Sequence, residues 1–274
     1  MKPVRAFAAN PEREVDLCPR QAFHSDQAVT RPASAKDRII AAIDVPDAAT
    51  ALNLIRQLRG KVGLFKIGLE LFTAAGPSIV EQAKQEGEAG IFLDLKFHDI
   101  PNTVAGAVRS ASRFGVDMLT IHLAGGGAML AAASAAVGSS TLLLGVSVLT
   151  SSSAETQMEI GAEPDIPSQV KRLVALGVAN QFGGFVASGH EILALRAAFG
   201  REIQLVIPGI RPAGGAKSAD DQQRVMTPAR AVAMGADYLV IGRPITSDPD
   251  PAGAAEKIAA EITAGGPSGT HGHV

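Results

Sequence analysis

The clearest pattern of secondary structure in the chain lies in residues 91–121, IFLDLKFHDIPNTVAGAVRSASRFGVDMLTI. The apolar runs Ile91–Leu95 and Met118–Ile121 are short, rich in branched side chains and bounded by turn residues, which is typical of strands buried on both faces. Between them, Val104–Phe114 has helical character. A strand, a helix and a second strand in this order predict a parallel β-α-β unit.

The same unit recurs along the chain. Six further apolar runs and three further helical stretches continue the alternation: Ile39–Ile43, Gly63–Ile67, Leu142–Val148, Phe185–Ala187, Ile203–Ile207 and Tyr238–Ile241, with Ala49–Leu58, Ser78–Gln85 and Glu191–Phe199. Eight strands alternating with helices, mostly about 20 to 40 residues apart, predict an α/β protein with a single (β/α)8 TIM barrel. A doubly wound open sheet is the alternative, which periodicity alone does not exclude.

The composition of the 274-residue chain narrows the class of protein. The chain is 46% hydrophobic with a formal net charge of −2, which excludes wholesale disorder and gives no basic footprint for a nucleic-acid partner. The one cysteine, Cys18, excludes an internal disulfide framework and a cysteine-based zinc site. It also suits a reducing compartment, so we expect a cytoplasmic protein.

The barrel is expected to occupy residues 37–264. Residues 1–36 are polar, contain four acidic residues beside their Lys and Arg and have no apolar segment, so we interpret them as a loosely ordered extension and neither a signal nor a transit peptide. Residues 265–274 are expected to form a flexible tail. The charge-free stretch Leu123–Ala154 raises the question of a membrane span, but glycines divide it. A buried helix followed by a buried strand is the expected structure, in a soluble protein.

Charged residues stand where the predicted strands end. They are Asp44, Lys66, Asp94, Lys96 and Asp99. Asp94 and Lys96 are two residues apart on a strand, so both side chains are expected to point into the barrel mouth. Carboxylates beside an ammonium group favour its charged form, which a site that delivers a proton to carbon requires. The alternative is a structural network of ion pairs that seals the barrel.

The last predicted strand is followed by Gly242 and Arg243. A glycine and an arginine at the start of a helix offer backbone N–H groups and a bidentate cation to a phosphate, and such sites commonly lie near strands seven and eight. An arginine that only caps the rim is the alternative. Strand seven is followed by Arg211 and a glycine-containing loop, which forms either a lid or a long surface loop.

Several of these motifs together resemble one family. DLKFHDIPNT at Asp94–Thr103 strongly resembles the signature of the orotidine 5'-phosphate decarboxylase family. The similarity continues, in order, in AIDV around Asp44, FKIG around Lys66, VLTS around Thr150, VIPGIRP around Arg211, DQQRVMTP around Gln222 and VIGRPIT around Arg243. It covers residues 37 to 262, and the ten-residue run with the last two motifs is highly specific. D-x-K-x-x-D alone is shared across the superfamily.

The resemblance implies decarboxylation of orotidine 5'-phosphate to UMP and CO2, the last step of de novo pyrimidine synthesis, without a metal or cofactor. It implies a homodimer of barrels with sites at the subunit interface. By the same resemblance, Lys96 is the proton donor to C6 and Asp94 faces the substrate carboxylate. Lys66 and Asp99 complete the catalytic set.

The resemblance also assigns substrate contacts. Asp44 and Lys66 would hold the ribose hydroxyls, while Asp99 and Thr103 would reach the site of the neighbouring subunit. The other contacts it implies are Thr150 to the pyrimidine, Gln222, Gly242 and Arg243 to the phosphate, and Arg211 on the same face. The loop after Arg211 is about two residues longer than in bacterial relatives, which leaves Gln222 and Gln223 as alternatives. The resemblance does not decide whether His98, His122 or Ser188 contacts the ligand.

Two other functions compete with this one. A Mg²⁺-dependent sugar-phosphate enzyme of the same superfamily would resemble the chain at D-x-K-x-x-D, but it carries a glutamate metal ligand where this sequence has Lys66. A non-catalytic barrel that binds nucleotide phosphate would keep Gly242 and Arg243. Such a barrel would have no need of Asp94 and Lys96 together.

Overall fold

The structure is a computed structural model that describes residues 31–212 and 226–265. The expectations for residues 1–30, including Cys18, for Gln222 and Gln223, and for the tail after residue 265 lie outside these ranges. Where the barrel domain begins and ends therefore stays a prediction.

Eight parallel strands close into a barrel within the described residues. The strands are β1 (Ile39–Ala42), β2 (Leu64–Gly68), β3 (Gly90–Phe97), β4 (Met118–His122), β5 (Leu142–Val146), β6 (Gly184–Val186), β7 (Gln204–Ile207) and β8 (Tyr238–Ile241). β1 completes the ring, because Ile40 lies opposite Leu64 of β2 on one side and opposite Val240 of β8 on the other. The predicted (β/α)8 barrel is confirmed, and the open sheet is excluded.

Helices follow the strands around the outside. They are α1 (Ala48–Gln57), α2 (Leu69–Ala75), α3 (Ser78–Gly87), α4 (Pro101–Arg113), α5 (Gly126–Ala136), α6 (Ala154–Glu159), α7 (Ile166–Ala179), α8 (Ile192–Phe199), α9 (Pro228–Met234), α10 (Arg243–Thr246) and α11 (Pro251–Ala264). Local chemistry sets several starts. Asp47 caps α1 by accepting the Thr50 N–H at 2.8 Å. α4 begins three residues before its apolar pattern, because Pro101 suits the first turn of a helix.

The period-2 alternation of each strand divides the core into two parts. The larger part lies between the strands and the helices and includes Leu93, Phe65 and Ile121. The smaller part fills the barrel interior with residues such as Ile40, Phe92 and Val206. Side chains two residues beyond the interior positions therefore point into the carboxyl-terminal mouth, where the charged residues lie.

The stretch 123–154 forms a short 3₁₀ turn, helix α5 and strand β5, followed by a loop, as the sequence predicts. Met129 and Leu130 of α5 and Leu143 of β5 are buried in the outer core. In the part of the chain that the structure describes, no helix has the length and apolar character needed to cross a membrane.

Candidate active site

Three neighbouring strands bring the first charges together. Asp94 continues the interior row of β3 two residues after Phe92, and Lys66 follows Leu64 in the same way on β2. The strand register places Lys66 beside Ala42 and Asp94 beside Gly68. The ends of β1, β2 and β3 thus meet at one side of the mouth.

The charges form a continuous array of ion pairs. Lys66 Nζ donates to Asp44 Oδ1 at 2.7 Å and lies 3.9 Å from Asp94 Oδ2. Lys96 Nζ lies 2.9 Å from both carboxylate oxygens of Asp94. Asp94 therefore stands between two ammonium groups, in the order Asp44, Lys66, Asp94, Lys96. The structure joins four of the five charged strand-end residues singled out in the sequence.

Burial increases from the edge of this array to its centre. The side chain of Asp44 is 57% exposed and that of Lys96 is 32% exposed, whereas Asp94 and Lys66 are 14% and 10% exposed. Burial of ionic groups is costly unless they are paired, and each of the two deepest groups has an oppositely charged partner. The two ends of the array, Asp44 and Lys96, are therefore the members most open to a ligand.

Gly68 makes room for the pair at the end of β2. A Cβ at this position would lie 3.1 Å from Lys66 Nζ and 3.2 Å from Asp44 Oδ1. These separations are tighter than ordinary van der Waals contacts, so a larger residue would push the ion pair apart. Gly68 is not among the site residues predicted above. Its place directly after the predicted run Gly63–Ile67, which carries Lys66, is the signal that the sequence offers for it.

The backbone at Lys96 is unusual. Its φ of +49° lies in the left-handed region, which residues other than glycine rarely adopt. Lys96 N donates to the hydroxyl of Thr120 on β4 at 2.9 Å, and the same hydroxyl donates to Asp94 Oδ1 at 3.0 Å. Thr120 is fully buried, and it too is not among the predicted site residues. The signal that the sequence offers for it is a polar residue within the apolar run MLTI.

Asp99 and Thr103 lie in the segment that leads from β3 into α4. Asp99 follows β3, and its carboxylate accepts the N–H of Ile100 at 2.6 Å. Thr103 lies in the first turn of α4, and both side chains are exposed. Ile100 between them is a large apolar residue that is 67% exposed. This segment thus presents polar and apolar groups outward beside the mouth.

Thr150 lies in the loop after β5, on the other side of the mouth. A cavity of about 450 Å³ opens there, between this loop and the first turns of α7 and α8. Its walls include Thr150, Ile166, Lys171, Ser188 and Leu195. None of the four residues in the ion-pair array lines this cavity.

The residues expected to bind phosphate follow β7 and β8. Gly242 is the N-cap of the short helix α10, whose first residue, Arg243, is exposed. A Cβ at Gly242 would make only an ordinary contact of 3.7 Å with Ala42. Arg211 is partly buried, and its backbone N–H donates to Met226 O at 3.1 Å. Gln222 and Gln223 lie outside the described residues.

Two histidines stack beside the array. The rings of His98 and His122 are 5.3 Å apart between centroids and inclined by 20°. Burial lowers the pKa of His122, and the nearby charges of His98 and Lys96 lower it further. Over the described ranges, no three His, Cys, Asp or Glu side chains are grouped so that they could hold a metal ion.

Comparison with known proteins identifies similar chains. The model of the orotidine 5'-phosphate decarboxylase / HUMPS family matches residues 37–258. The orotidine 5'-phosphate decarboxylase of Moorella thermoacetica is 52% identical over 237 residues, covering 83% of this chain and 93% of that protein. The protein of the same name from Syntrophotalea carbinolica is 46% identical over 238 residues, covering 84% and 96%. The crystal structure of the orotidine 5'-phosphate decarboxylase from Lactobacillus acidophilus superposes with a TM-score of 0.71 at 33% identity, covering 85% of this chain and 99% of that one.

Proposed function

The chain belongs to the orotidine 5'-phosphate decarboxylase / HUMPS family, and on that premise we propose that it decarboxylates orotidine 5'-phosphate to UMP in pyrimidine biosynthesis. The observation that carries the proposal is the partly buried carboxylate of Asp94 between the ammonium groups of Lys66 and Lys96. The single cysteine suits a reducing compartment, and we place the enzyme in the cytoplasm.

Loss of CO2 from the pyrimidine leaves negative charge at C6, which the array is suited to stabilise. Lys96 Nζ is a fixed positive group at the mouth, held 2.9 Å from Asp94. Preorganised charge of this kind lowers the barrier because it needs no reorganisation when the reaction occurs. In this proposal Lys96 offsets the charge at C6 and then transfers its proton to that carbon.

Asp94 has two roles in this account. It holds Lys96 in place, and its carboxylate faces that of the bound substrate. Two carboxylates close together repel each other, and the repulsion falls once CO2 has left. Lys66 neutralises part of the charge of Asp94 from the other side, at 3.9 Å.

The remaining residues divide the substrate between them. We assign the ribose hydroxyls to Asp44 and Lys66, which are already joined by a hydrogen bond of 2.7 Å. Thr150 is assigned to the pyrimidine. Phosphate contacts are assigned to Gly242 and Arg243, with Arg211 on the same face and Gln222 or Gln223 completing the set. At Gly242 the absence of a side chain lets the backbone approach the phosphate closely.

We also propose that the enzyme works as a homodimer in which Asp99 and Thr103 enter the site of the other subunit. Both side chains are exposed, and Ile100 between them is 67% exposed. A second copy packed on this segment would remove the apolar surface of Ile100 from water. Within one chain, the carboxylate of Asp94 lies between the two ammonium groups of the array. Asp99 of the second copy would add a second carboxylate beside them.

A reaction without a metal is the form that the charges favour. Lys66 and Lys96 approach the carboxylate of Asp94 from both sides. A divalent cation at this carboxylate would be repelled by two ammonium groups, and at Lys66 it would lack the oxygen ligand that the metal-dependent siblings use. We therefore propose that turnover needs neither a metal nor a cofactor.

The test is the UV-monitored conversion of orotidine 5'-phosphate by the purified full-length protein, with and without excess EDTA. We expect equal rates in both conditions. Folded protein that does not convert the substrate would contradict the proposal. Loss of activity in EDTA that Mg²⁺ restores would favour the metal-dependent branch, to be assayed next with hexulose and gulonate phosphates.

A further inference from the structure

Thr120 is the buried contact that joins the backbone of Lys96 to the side chain of Asp94. It is the third residue of β4, is 0% exposed and follows the interior residue Met118 by two positions. Its hydroxyl accepts the backbone N–H of Lys96 at 2.9 Å and donates to Asp94 Oδ1 at 3.0 Å. One hydroxyl group therefore contacts both charged residues.

The pairing of β3 with β4 explains why these contacts exist. Leu93 lies opposite Leu119 and Phe97 lies opposite Ile121, so a step of four residues on β3 faces a step of two on β4. Two residues of β3 are thus in excess at this point, and the regular ladder is interrupted. The Lys96 N–H, which a regular ladder would pair with a carbonyl oxygen, is bonded to the Thr120 hydroxyl.

The interruption places Lys96 in the left-handed region, at φ +49°. This conformation is unfavourable for a residue with a side chain, so it persists only when its surroundings hold it. A hydroxyl suits the task because it accepts one hydrogen bond and donates another. Valine, with nearly the same shape, could do neither.

The second hydrogen bond orients the carboxylate. Asp94 Oδ1 accepts two hydrogen bonds, one from Thr120 Oγ1 at 3.0 Å and one from Lys96 Nζ at 2.9 Å. Asp94 Oδ2 faces Lys96 and Lys66. With Oδ1 tied to β4, the plane of the carboxylate is fixed relative to both lysines, and rotation about the last side-chain bond is opposed.

We propose that Thr120 is a positioning residue for the decarboxylation, which holds the Lys96 ammonium group and the Asp94 carboxylate in their reactive arrangement. The expected effect on kcat rests on the proposed function. The expected effect on the geometry of Asp94 and Lys96 does not.

The test compares three variants. Thr120→Val removes the hydroxyl, Thr120→Ser keeps it, and Thr141→Val removes a matched buried hydroxyl, which donates to Val116 O at 2.8 Å before β5. For T120V we expect kcat to fall by about 10- to 100-fold, the usual effect of misplaced reacting groups, with KM changed little. T120S should stay within a few-fold of the wild type, and T141V should keep its kcat. If T120V does not fold, Thr120→Ala carries the same expectation.

Wild-type kcat in T120V, or a loss confined to KM, would overturn the proposal, as would an equal loss of kcat in T141V. A crystal structure of T120V gives a second readout that needs no activity. It should show Lys96 outside the left-handed region or separated from Asp94. An unchanged arrangement of Lys96 and Asp94 in this structure would overturn the proposal, whether or not the wild type acts on orotidine 5'-phosphate. An inactive wild type would by itself contradict only the proposed function.

Discussion

Lys96 concentrates the chemistry of the molecule in one residue. Its backbone has a positive φ, its N–H is bonded to Thr120, and its ammonium group contacts both oxygens of Asp94. Strained backbone of this kind occurs where surrounding contacts over-determine a conformation that function needs.

At the same scale, His122 predicts how stability depends on pH. Its pKa is lowered in the folded protein, chiefly by burial, so below about pH 6.5 the unfolded chain binds the proton more readily. The contribution of the neutral ring is therefore present above this pH and is lost as the pH falls. Denaturant unfolding between pH 7 and 5 should show the loss.

His122→Gln should flatten this pH dependence, because it removes the titrating ring. His190→Gln, at an exposed position, is the control and should behave like the wild type. If the free energy of unfolding falls with pH in the same way in the wild type and in both variants, His122 does not contribute to the pH dependence.

Among the elements, the strands were the most predictable and the β3–β4 pairing the least. The run Tyr238–Ile241 coincides with β8, and the other predicted runs differ from the observed strands by one or two residues at one or both ends. Apolar runs mark strands because burial on both faces needs them. Alternation also predicts that Asp94 and Lys96 share the mouth, but the interruption between Leu93 and Phe97 depends on contacts with β4, which local sequence does not encode.

β8 supports a prediction of its own through Tyr238. Burial raises the pKa of this phenol to about 12, and the negative charge of Asp237 contributes. Tyr238 is the only tyrosine in the chain, which has no tryptophan, so absorbance at 295 nm reports this one group. We expect no tyrosinate in the folded protein at pH 10 and half-ionisation near pH 10 after denaturation.

The raised pKa has a consequence for stability at high pH. The folded state keeps the phenolic proton that the unfolded chain loses near pH 10, so the stability contributed by Tyr238 is complete below pH 10. It is lost as the pH rises toward about 12. Tyrosinate absorbance in folded protein at pH 10 would contradict this.

The two ends of the barrel differ in the role of their charged residues, which stabilise the fold at one end and form the site at the other. At the amino-terminal end, Arg196 of α8 pairs with Asp237, the buried residue before β8, and Asp237 also accepts the Leu205 N–H at 2.8 Å. At the other end, the charges meet in the open mouth. This division is the usual one in barrels of this type, where loops at the carboxyl ends of strands carry the site.

The proposed dimer makes a prediction at this scale. Lys96→Ala and Asp99→Ala should each be inactive alone, because each dimer then lacks one residue in both sites. Mixed and allowed to exchange subunits, they should regain about a quarter of the wild-type activity, since half of the dimers are hybrid and each hybrid has one intact site. A different tag on each variant verifies that subunits have exchanged. If no activity is recovered after exchange, Asp99 acts within its own subunit.

We assign the decarboxylation to Lys96, held by Asp94. The decisive measurement is the rate of conversion of orotidine 5'-phosphate to UMP by the wild type, by Lys96→Ala and by the control Lys257→Ala, which changes an exposed lysine of α11. We predict that K96A loses at least about 10²- to 10⁴-fold in rate while still binding UMP, and that K257A matches the wild type. Near-normal turnover by K96A would contradict the account.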